Sequence, residues 1–190
     1  MPLRVTPIRE EEKSVLDNLL QLYMHEMSRY DDRVLGDDGR YSYNSFESYF
    51  TQDGRHAYLI RVRGKLAGFV LVKIIDSVTS APIHSIAEFF VIEVYRRLGI
   101  GEEVARILFD QHPGTWQVAQ QEENAVSRAF WKHVVWRYTA KEYREFRSPD
   151  WNGPIFEFVS RGNAMDVQPV EAPQAAEKSP SKPASQSQFS

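Results

Sequence analysis

The chain has 190 residues, of which 42% are hydrophobic and 13% aromatic, a content that fills one hydrophobic core but not two of similar size. With 23 Lys and Arg residues against 26 Asp and Glu residues, the formal net charge is −3, and the chain lacks the positive field that attracts nucleic acids. The absence of Cys excludes disulfide bonds, thiolate metal sites and a cysteine nucleophile.

The hydrophobic pattern indicates neither a membrane span nor a secretion signal. The longest apolar run, residues 66–75, is much shorter than the roughly 20 residues that cross a bilayer, and it is broken by Gly68 and Lys73. Residues 1–13 lead into acidic side chains where a signal peptide needs an apolar segment. The five His residues show no metal-ligand spacing. We therefore expect a cytoplasmic monomer or homodimer that has no metal site and contacts neither nucleic acid nor a membrane.

The first 50 residues are predicted to form a short strand and two helices. Residues 3–8 favour the strand, and a polar loop at residues 31–40 separates the helices. The first helix has an apolar face with alternating steps of four and three residues, formed by Leu16, Leu20, Tyr23, Met27 and Tyr30. The second, shorter helix is indicated by the aromatic residues Tyr43, Phe46, Tyr49 and Phe50.

A hairpin is predicted next, with strands at residues 56–63 and 66–75 around Gly64 and Lys65, because Gly supplies the positive φ that a two-residue turn needs. The strand at residues 85–94 is apolar almost throughout, which is typical of a central strand. The remaining predicted elements are a helix at residues 101–111, a strand at 115–121, a helix from an Asn124 N-cap to about residue 136, and closing strands at 142–147 and 154–160.

The order of these elements predicts one mixed α/β domain over residues 1–163. From residue 164 the chain is rich in Pro, Ser, Gln and Ala, with Phe189 as the one aromatic side chain. Such a segment buries too little apolar surface to offset the entropy of ordering. We therefore expect residues 164–190 to form a disordered tail.

The most informative segment is residues 88–101, EFFVIEVYRRLGIG, in which a strand leads through a glycine-containing loop into a helix. Exposed N–H groups and the helix dipole at such a junction favour phosphate oxygens. A dinucleotide fingerprint needs a small residue where Val104 stands, and a P-loop needs Gly-Lys-Ser/Thr. Both of these phosphate-binding motifs are therefore excluded.

The pattern Arg96-x-x-Gly99-x-Gly101 resembles the acyl-CoA motif of the GNAT N-acetyltransferase superfamily. The following helix strengthens the resemblance, since it opens with Asn124 and carries Ser127 and Trp131 at the family's spacing. The resemblance covers residues 1–163 and is greatest to bacterial predicted acetyltransferases of unassigned substrate. It implies a GNAT fold, with a mixed central sheet of about six to seven strands, helices on both faces, and splayed fourth and fifth strands.

The resemblance also implies that acetyl-CoA is the co-substrate and that an amine is the acceptor. The loop would cradle the pyrophosphate, and main-chain groups of the fourth strand would pair with the pantetheine arm. The implied coenzyme A contacts are Phe90, Val91, Ile92, Arg96, Arg97, Leu98, Gly99, Ile100, Gly101, Glu102, Asn124 and Ser127.

Glu88 is the candidate general base. An alkylamine with a pKa near ~10.4 must lose a proton before it attacks a thioester. Glu88 lies three residues before Val91 on the central strand, where aromatic neighbours would raise the pKa of its carboxyl group. The alternative is a structural role, paired with an Arg or a buried amide, and Glu93 is a second choice as base.

Trp131 occupies the position at which many GNAT enzymes carry a Tyr that protonates the departing thiolate. An indole N–H donates a hydrogen bond but is not an acid. The thiolate then leaves unprotonated, or water or Tyr138 assists it. This departure keeps open a second hypothesis, in which the domain binds acyl-CoA as a sensor or interaction module without turnover.

The polar loop at residues 31–40 holds four Asp residues against two Arg residues. In GNAT domains the segment between the first two helices borders the acceptor pocket, so this composition implies a cationic amine. The alternative is a solvated acidic surface loop, because runs of surface charge are common.

Overall fold

The computed structural model describes residues 2–75 and 81–162, which form seven strands, four α-helices and two short 3-10 helices at Glu10–Glu12 and Glu93–Tyr95. The strands are β1 (Leu3–Pro7), β2 (Arg55–Val62), β3 (Lys65–Ile75), β4 (Ile83–Val91), β5 (Gly114–Ala119), β6 (Arg144–Ser148) and β7 (Trp151–Ser160). The α-helices are α1 (Lys13–Met27), α2 (Ser48–Thr51), α3 (Ile100–Gln111) and α4 (Ala125–Tyr138). The tail predicted at residues 164–190 lies outside the described residues.

All seven strands belong to one sheet in the order β1-β2-β3-β4-β5-β7-β6. The pair β4–β5 is parallel and every other pair of neighbours is antiparallel. A parallel pair needs a crossover connection, and α3 provides it. The predicted mixed α/β architecture with about six to seven strands is therefore confirmed.

Helices cover both faces of the sheet. Side chains alternate between the two faces along a strand, and in the central strands both faces are apolar and buried. On β3, Phe69 and Leu71 face one layer while Val70 and Val72 face the other. The first layer packs against the apolar face of α1, which contributes Leu16, Leu19, Leu20 and Met24. The second layer packs against α3 and α4 through Val104, Ala105, Leu108, Trp131, Val134 and Val135.

Several predicted boundaries shift by a few residues, and the second predicted helix is confined to Ser48–Thr51. Helix α1 ends at Met27, and Tyr30 lies in the turn that follows, with its N–H on the carbonyl of Met27. The hairpin turn is Arg63–Gly64 rather than Gly64–Lys65, because both residues adopt positive φ values of 51° and 76° and Lys65 already pairs with Val62. Strand β4 ends at Val91, where the 3-10 helix at Glu93–Tyr95 takes over.

Strands β4 and β5 separate at their carboxyl ends, as predicted. Their last paired residues are Ile86 and Val118, although β4 continues to Val91. Strand β5 instead stays paired with β7 to its end, where Ala119 pairs with Ile155. The register of β3 against β4 shifts just beyond Ile86, which bends β4 away from β5. Within the described chain, residues 87–91 therefore have β3 on one side and an open gap on the other.

No α-helix among the described residues has the length and apolar character to cross a membrane.

Candidate active site

The open edge of β4 presents main-chain groups of alternate residues. The N–H of Ile92 donates to the carbonyl of Ala67 on the β3 side at 2.8 Å. Because hydrogen-bonding direction alternates along an antiparallel strand, Phe90 and Ile92 turn their main-chain groups toward β3. Phe89 and Val91 turn theirs toward the gap. The sequence analysis did not identify Phe89 as a residue whose main-chain groups face the gap, because only the strand register decides this direction.

The glycine-containing loop ends in a helix N-terminus. Gly99 caps α3 with a left-handed φ of 78°, a conformation that Gly adopts without strain. The first main-chain bond of α3 runs from the N–H of Glu103 to the carbonyl of Gly99. The N–H groups of Ile100, Gly101 and Glu102 therefore have no partner in the preceding turn, which is the usual arrangement at an anion-binding helix start.

Arg96 connects this loop to α1. Its guanidinium forms two hydrogen bonds to the Glu26 carboxylate, at 2.8 and 2.6 Å, and an ion pair with Glu93 at 2.9 Å. Its Nε also donates to the carbonyl of Val91 at 2.6 Å. These contacts with Glu26 raise the pKa of Arg96 further. Because carboxylates already neutralise Arg96, the neighbouring Arg97, whose side chain is exposed, is the available cation of the loop.

The small size of Gly101 serves the packing of α3 against α4. A Cβ atom at this position would lie 3.1 Å from the ring of Phe130 and 3.6 Å from the ring of Phe89. Glycine also lets the main chain approach a ligand closely, which a side chain would prevent. Because the rings of Phe130 and Phe89 leave no room for a larger side chain, a bulky replacement of Gly101 strains the packing of the fold as well as the loop.

Asn124 is the predicted N-cap of α4. Its Oδ1 accepts from the N–H of Ser127 at 2.9 Å, and its Nδ2 lies 4.0 Å from Sδ of Met27 at the end of α1. The side chain is buried, and Ser127 is half-buried. Asn124 therefore joins the start of α4 to α1. On α3, Glu102 pairs with Arg137 of α4 at 3.2 Å.

Glu88 lies on the α1 face of β4, and both of its carboxylate oxygens accept hydrogen bonds. The Tyr23 hydroxyl donates to Oε2, and the Tyr43 hydroxyl donates to Oε1 at 3.1 Å. Burial raises the pKa of Glu88, and the two phenols oppose that rise because they stabilise the ionised form. Arg33 and Lys73 act in the same direction as the phenols. The site thus combines a desolvated carboxylate with two fixed donors.

Trp131 lies on the opposite face of β4 from Glu88. It is 4% exposed and packs edge-to-face against Phe89, with ring centroids 5.0 Å apart. Tyr138 lies two turns further along α4, where its hydroxyl contacts Asp110 at 2.7 Å. Glu93 is exposed and paired with Arg96. The structure therefore places Glu88 and Trp131 on two sides of β4, and holds Tyr138 and Glu93 in contacts elsewhere.

A cavity of about 330 Å³ is lined by residues of the segment between α1 and α2, including Tyr43, which hydrogen-bonds Glu88. Asp31 and Arg33 form an ion pair in its wall at 2.5 Å, which lowers the pKa of Asp31, and Gln121, beyond the end of β5, lowers that pKa further. Arg40 pairs with Asp17 of α1. Of the two arginines in the acidic loop, Arg33 therefore neutralises an Asp of the loop, whereas Arg40 pairs with α1. The lining residues are Asp31, Arg33, Val34, Tyr41, Ser42, Tyr43, Asn44 and Ser45.

Sequence reasoning missed the two phenols that bind Glu88. Tyr23 was assigned to the apolar face of α1 and Tyr43 to the apolar side of the second helix. Both rings do pack in the core layer under α1. The available signal was the hydroxyl itself, because a buried Tyr needs a polar partner and Glu88 is the titratable residue on the facing strand.

The comparisons with known proteins agree with this geometry. A family model described as the acetyltransferase (GNAT) family matches residues 16–134, which is more than half of the chain. Comparison with curated proteins gave no match. Among solved structures, the chain is similar to an acetyltransferase from Thermus thermophilus, with a TM-score of 0.60 and 12% identity over 84% of this chain and 97% of that one.

Two further solved structures share the fold. The ribosomal-protein-S18-alanine N-acetyltransferase from Escherichia coli has a TM-score of 0.52 at 13% identity, over 88% of this chain and 99% of that one. The spermidine N-acetyltransferase from Vibrio cholerae, in complex with CoA and spermine, has a TM-score of 0.55 at 11% identity, over 83% of this chain and 95% of that one. Together with the open β4 edge and the loop before α3, the family match shows that the chain belongs to the GNAT acetyltransferase family.

Proposed function

We propose that this chain is an acetyl-CoA-dependent N-acetyltransferase that moves an acetyl group to a primary amine of a small molecule or peptide. Family membership supports the acyl transfer, and similar structures include enzymes whose names give a protein alanine and a polyamine as acceptors. The amine attacks directly, with both substrates bound at once. The chain has no Cys, so no cysteine acyl-enzyme forms on the way.

The gap and the loop fit acetyl-CoA. The gap-facing main-chain groups of Phe89 and the N–H of Val91 suit the amides of the pantetheine arm, whereas the Val91 carbonyl already accepts a hydrogen bond from Arg96. The free N–H groups at the start of α3, together with Arg97, suit the pyrophosphate. When bound, acetyl-CoA supplies an acetyl thioester, an activated acyl group. We assign the remaining cofactor contacts to the loop at residues 96–102 and to Ser127, with Asn124 holding the start of α4.

Glu88 is the proposed general base, and its environment is the single observation that carries the proposal. Glu88 is half-buried beside the gap, and burial raises the pKa of its carboxyl group, which makes the carboxylate a stronger proton acceptor. The two phenols donate hydrogen bonds to the ionised carboxylate, which is the form that acts as a base. Glu88 takes the proton of the bound ammonium group, and the neutral amine then attacks.

Trp131 does not supply a proton in this proposal. Its ring is packed against Phe89 and Phe130 and forms an apolar wall. The departing thiolate takes its proton from water. Thiols with a pKa near ~8.5 are tolerable leaving groups, so the loss of an acid at this position costs little.

A second candidate function is an acyl-CoA-binding module without turnover, and the replacement of a Tyr by Trp131 favours it. The two functions share coenzyme A binding and differ in chemistry. Release of the coenzyme A thiol, measured with spermidine and with an Ala-initiated tripeptide as acceptors, separates them. Turnover supports the transferase. Binding of coenzyme A without turnover on either amine, combined with turnover by Trp131→Tyr, supports the module.

The test of the general base is Glu88→Gln, which keeps the shape of the side chain and removes the ionisable group. We expect turnover to fall on the order of 10²-fold, the usual size of a general-base contribution. Affinity for coenzyme A, measured by calorimetry, should stay the same because Glu88 does not belong to the loop before α3. An unchanged rate with an unchanged pH profile would make Glu88 structural.

A further inference from the structure

The two phenols that bind Glu88 have different surroundings. The ring of Tyr23 is held on α1 between Phe69 and Phe90, at centroid distances of 5.8 and 6.0 Å. Tyr43 instead lines the cavity of about 330 Å³, in the same wall as the Asp31–Arg33 ion pair. Of the two donors to one carboxylate, Tyr23 therefore packs against two core rings, whereas among the described residues only Tyr43 also forms part of the cavity wall.

Glu88 itself is not among the cavity-lining residues in the described part of the chain. Its Oε2 is covered by Tyr23, and its Oε1 is bound by Tyr43. We propose that the Tyr43 hydroxyl relays a proton from the acceptor amine in the cavity to Glu88, whereas Tyr23 only positions the carboxylate. This inference rests on the proposed function, because it assigns the path of the proton that Glu88 receives.

The relay moves two protons and leaves Tyr43 unchanged. One N–H bond of the ammonium group breaks as its proton moves to Oη of Tyr43. At the same time the O–H bond of Tyr43 breaks, and its proton moves to Oε1 of Glu88. The products are a neutral amine, a neutral phenol and a protonated carboxyl group, so charge and atoms balance. Glu88 later returns its proton to solvent.

The electrostatics favour a concerted transfer over a free phenolate. Burial raises the pKa of Tyr43, and the negative charge of Glu88 raises it further. A phenolate at this position is therefore unfavourable, and Tyr43 must accept one proton as it gives up the other. Tyr49 of α2 also contributes to the raised pKa of Tyr43, and Arg33 and Lys73 are the cations whose charge acts on Glu88.

Tyr43→Phe and Tyr23→Phe form a matched pair, because each removes one hydroxyl donor from the same carboxylate. With spermidine and the Ala-initiated tripeptide as probes, we expect kcat to fall on the order of 10²-fold in Tyr43→Phe and less than tenfold in Tyr23→Phe. The KM for acetyl-CoA should stay within about twofold in both variants, and circular dichroism should confirm that both are folded. Equal losses of kcat would overturn the relay and leave the proposed function standing.

The proton inventory gives a second readout that a structural role does not move. In mixtures of H₂O and D₂O, a step that transfers two protons gives a curved dependence of kcat on the deuterium fraction, and a one-proton step gives a line. We expect curvature in the wild type and in Tyr23→Phe. A straight line in the wild type would overturn the relay even if Tyr43→Phe fails to fold. Absence of turnover on both probes would overturn the proposed function and the relay with it.

Discussion

Strand β4 contributes to a cluster of titratable side chains at each of its ends, and the surroundings that modify the effect of burial on pKa differ between the two clusters. Near the carboxyl end, Glu88 receives hydrogen bonds from two phenols. Near the amino end, the ring of His84 packs against that of His112 at a centroid distance of 5.4 Å, and His112 packs against His56 at 5.3 Å. The Glu88 cluster borders the gap and the cavity, whereas the His cluster is backed by aromatic core side chains such as Trp116.

The difference lies in what surrounds the charged form of each group. Burial opposes charge in both clusters, and it lowers the pKa of His56, His84 and His112. For His112 the pKa falls to about 4, because burial is joined by repulsion from the other two histidines. Around Glu88, hydrogen-bond donors offset part of the rise in pKa that burial causes. Donors to the ionised form keep a buried group able to carry its charge, whereas a buried group among like neighbours is held in its neutral form.

The largest expected effect compares the two ends directly. Glu88→Gln should reduce turnover on the order of 10²-fold, whereas His84→Gln on the same strand should change it less than about twofold. Both variants replace a titratable side chain of β4 with an amide. Release of the coenzyme A thiol with spermidine as acceptor measures both. A comparable loss in His84→Gln would mean that the strand as a whole, and not the carboxylate, limits the reaction.

The fold was largely predictable from the sequence because its signals are local. Apolar spacing located α1 and α3, and Asn124 was recognisable as an N-cap because a side-chain oxygen before an apolar helix satisfies a first-turn N–H. The loop before α3 was recognisable from two glycines at fixed spacing. Errors of one residue arose where geometry decides, as at the turn Arg63–Gly64.

The candidate site was predictable only in part, because its decisive contacts link residues far apart in the chain. Glu88 could be named from reaction logic, but the hydroxyl groups of Tyr23 and Tyr43 reach it from 65 and 45 residues away. The hydrogen bonds from Arg96 to Glu26 also depend on how α1 lies against the loop. No local pattern encodes such pairs, so a motif identifies the element but not its partners.

The His cluster predicts a loss of stability in acid. Because the folded pKa values are lowered below the unfolded value near ~6.5, the unfolded state binds more protons as the pH falls below that value. The loss should begin below about pH 6.5 and be complete below about pH 4. With solvent screening allowed for, we expect a loss on the order of 1–2 kcal/mol in the free energy of unfolding. Urea unfolding across this range measures it.

His112→Gln should flatten this acid slope, because it removes the most strongly affected member of the cluster. Its matched control is His25→Gln, since His25 is exposed on α1 and stacks with none of the three histidines. The variant also loses the contact between His112 Nε2 and the Tyr58 hydroxyl at 2.7 Å, so its stability at neutral pH should be somewhat lower. An identical slope in His112→Gln and in the wild type would remove the cluster as the cause.

The smallest expected effect has the opposite sign and comes from Glu88. Its pKa is raised in the folded state, so the folded protein binds more protons than the unfolded chain as the pH rises above the unfolded value near ~4.5. Ionisation of Glu88 therefore costs stability as the pH rises, and Glu88→Gln does not bear that cost. We expect the Tm of Glu88→Gln relative to the wild type to rise by about 2–4 °C between acid and neutral pH. His84→Gln should not show this trend. If the Tm difference between Glu88→Gln and the wild type stays constant with pH, the phenols fully offset burial, and Glu88 is then a weaker base than its environment indicates.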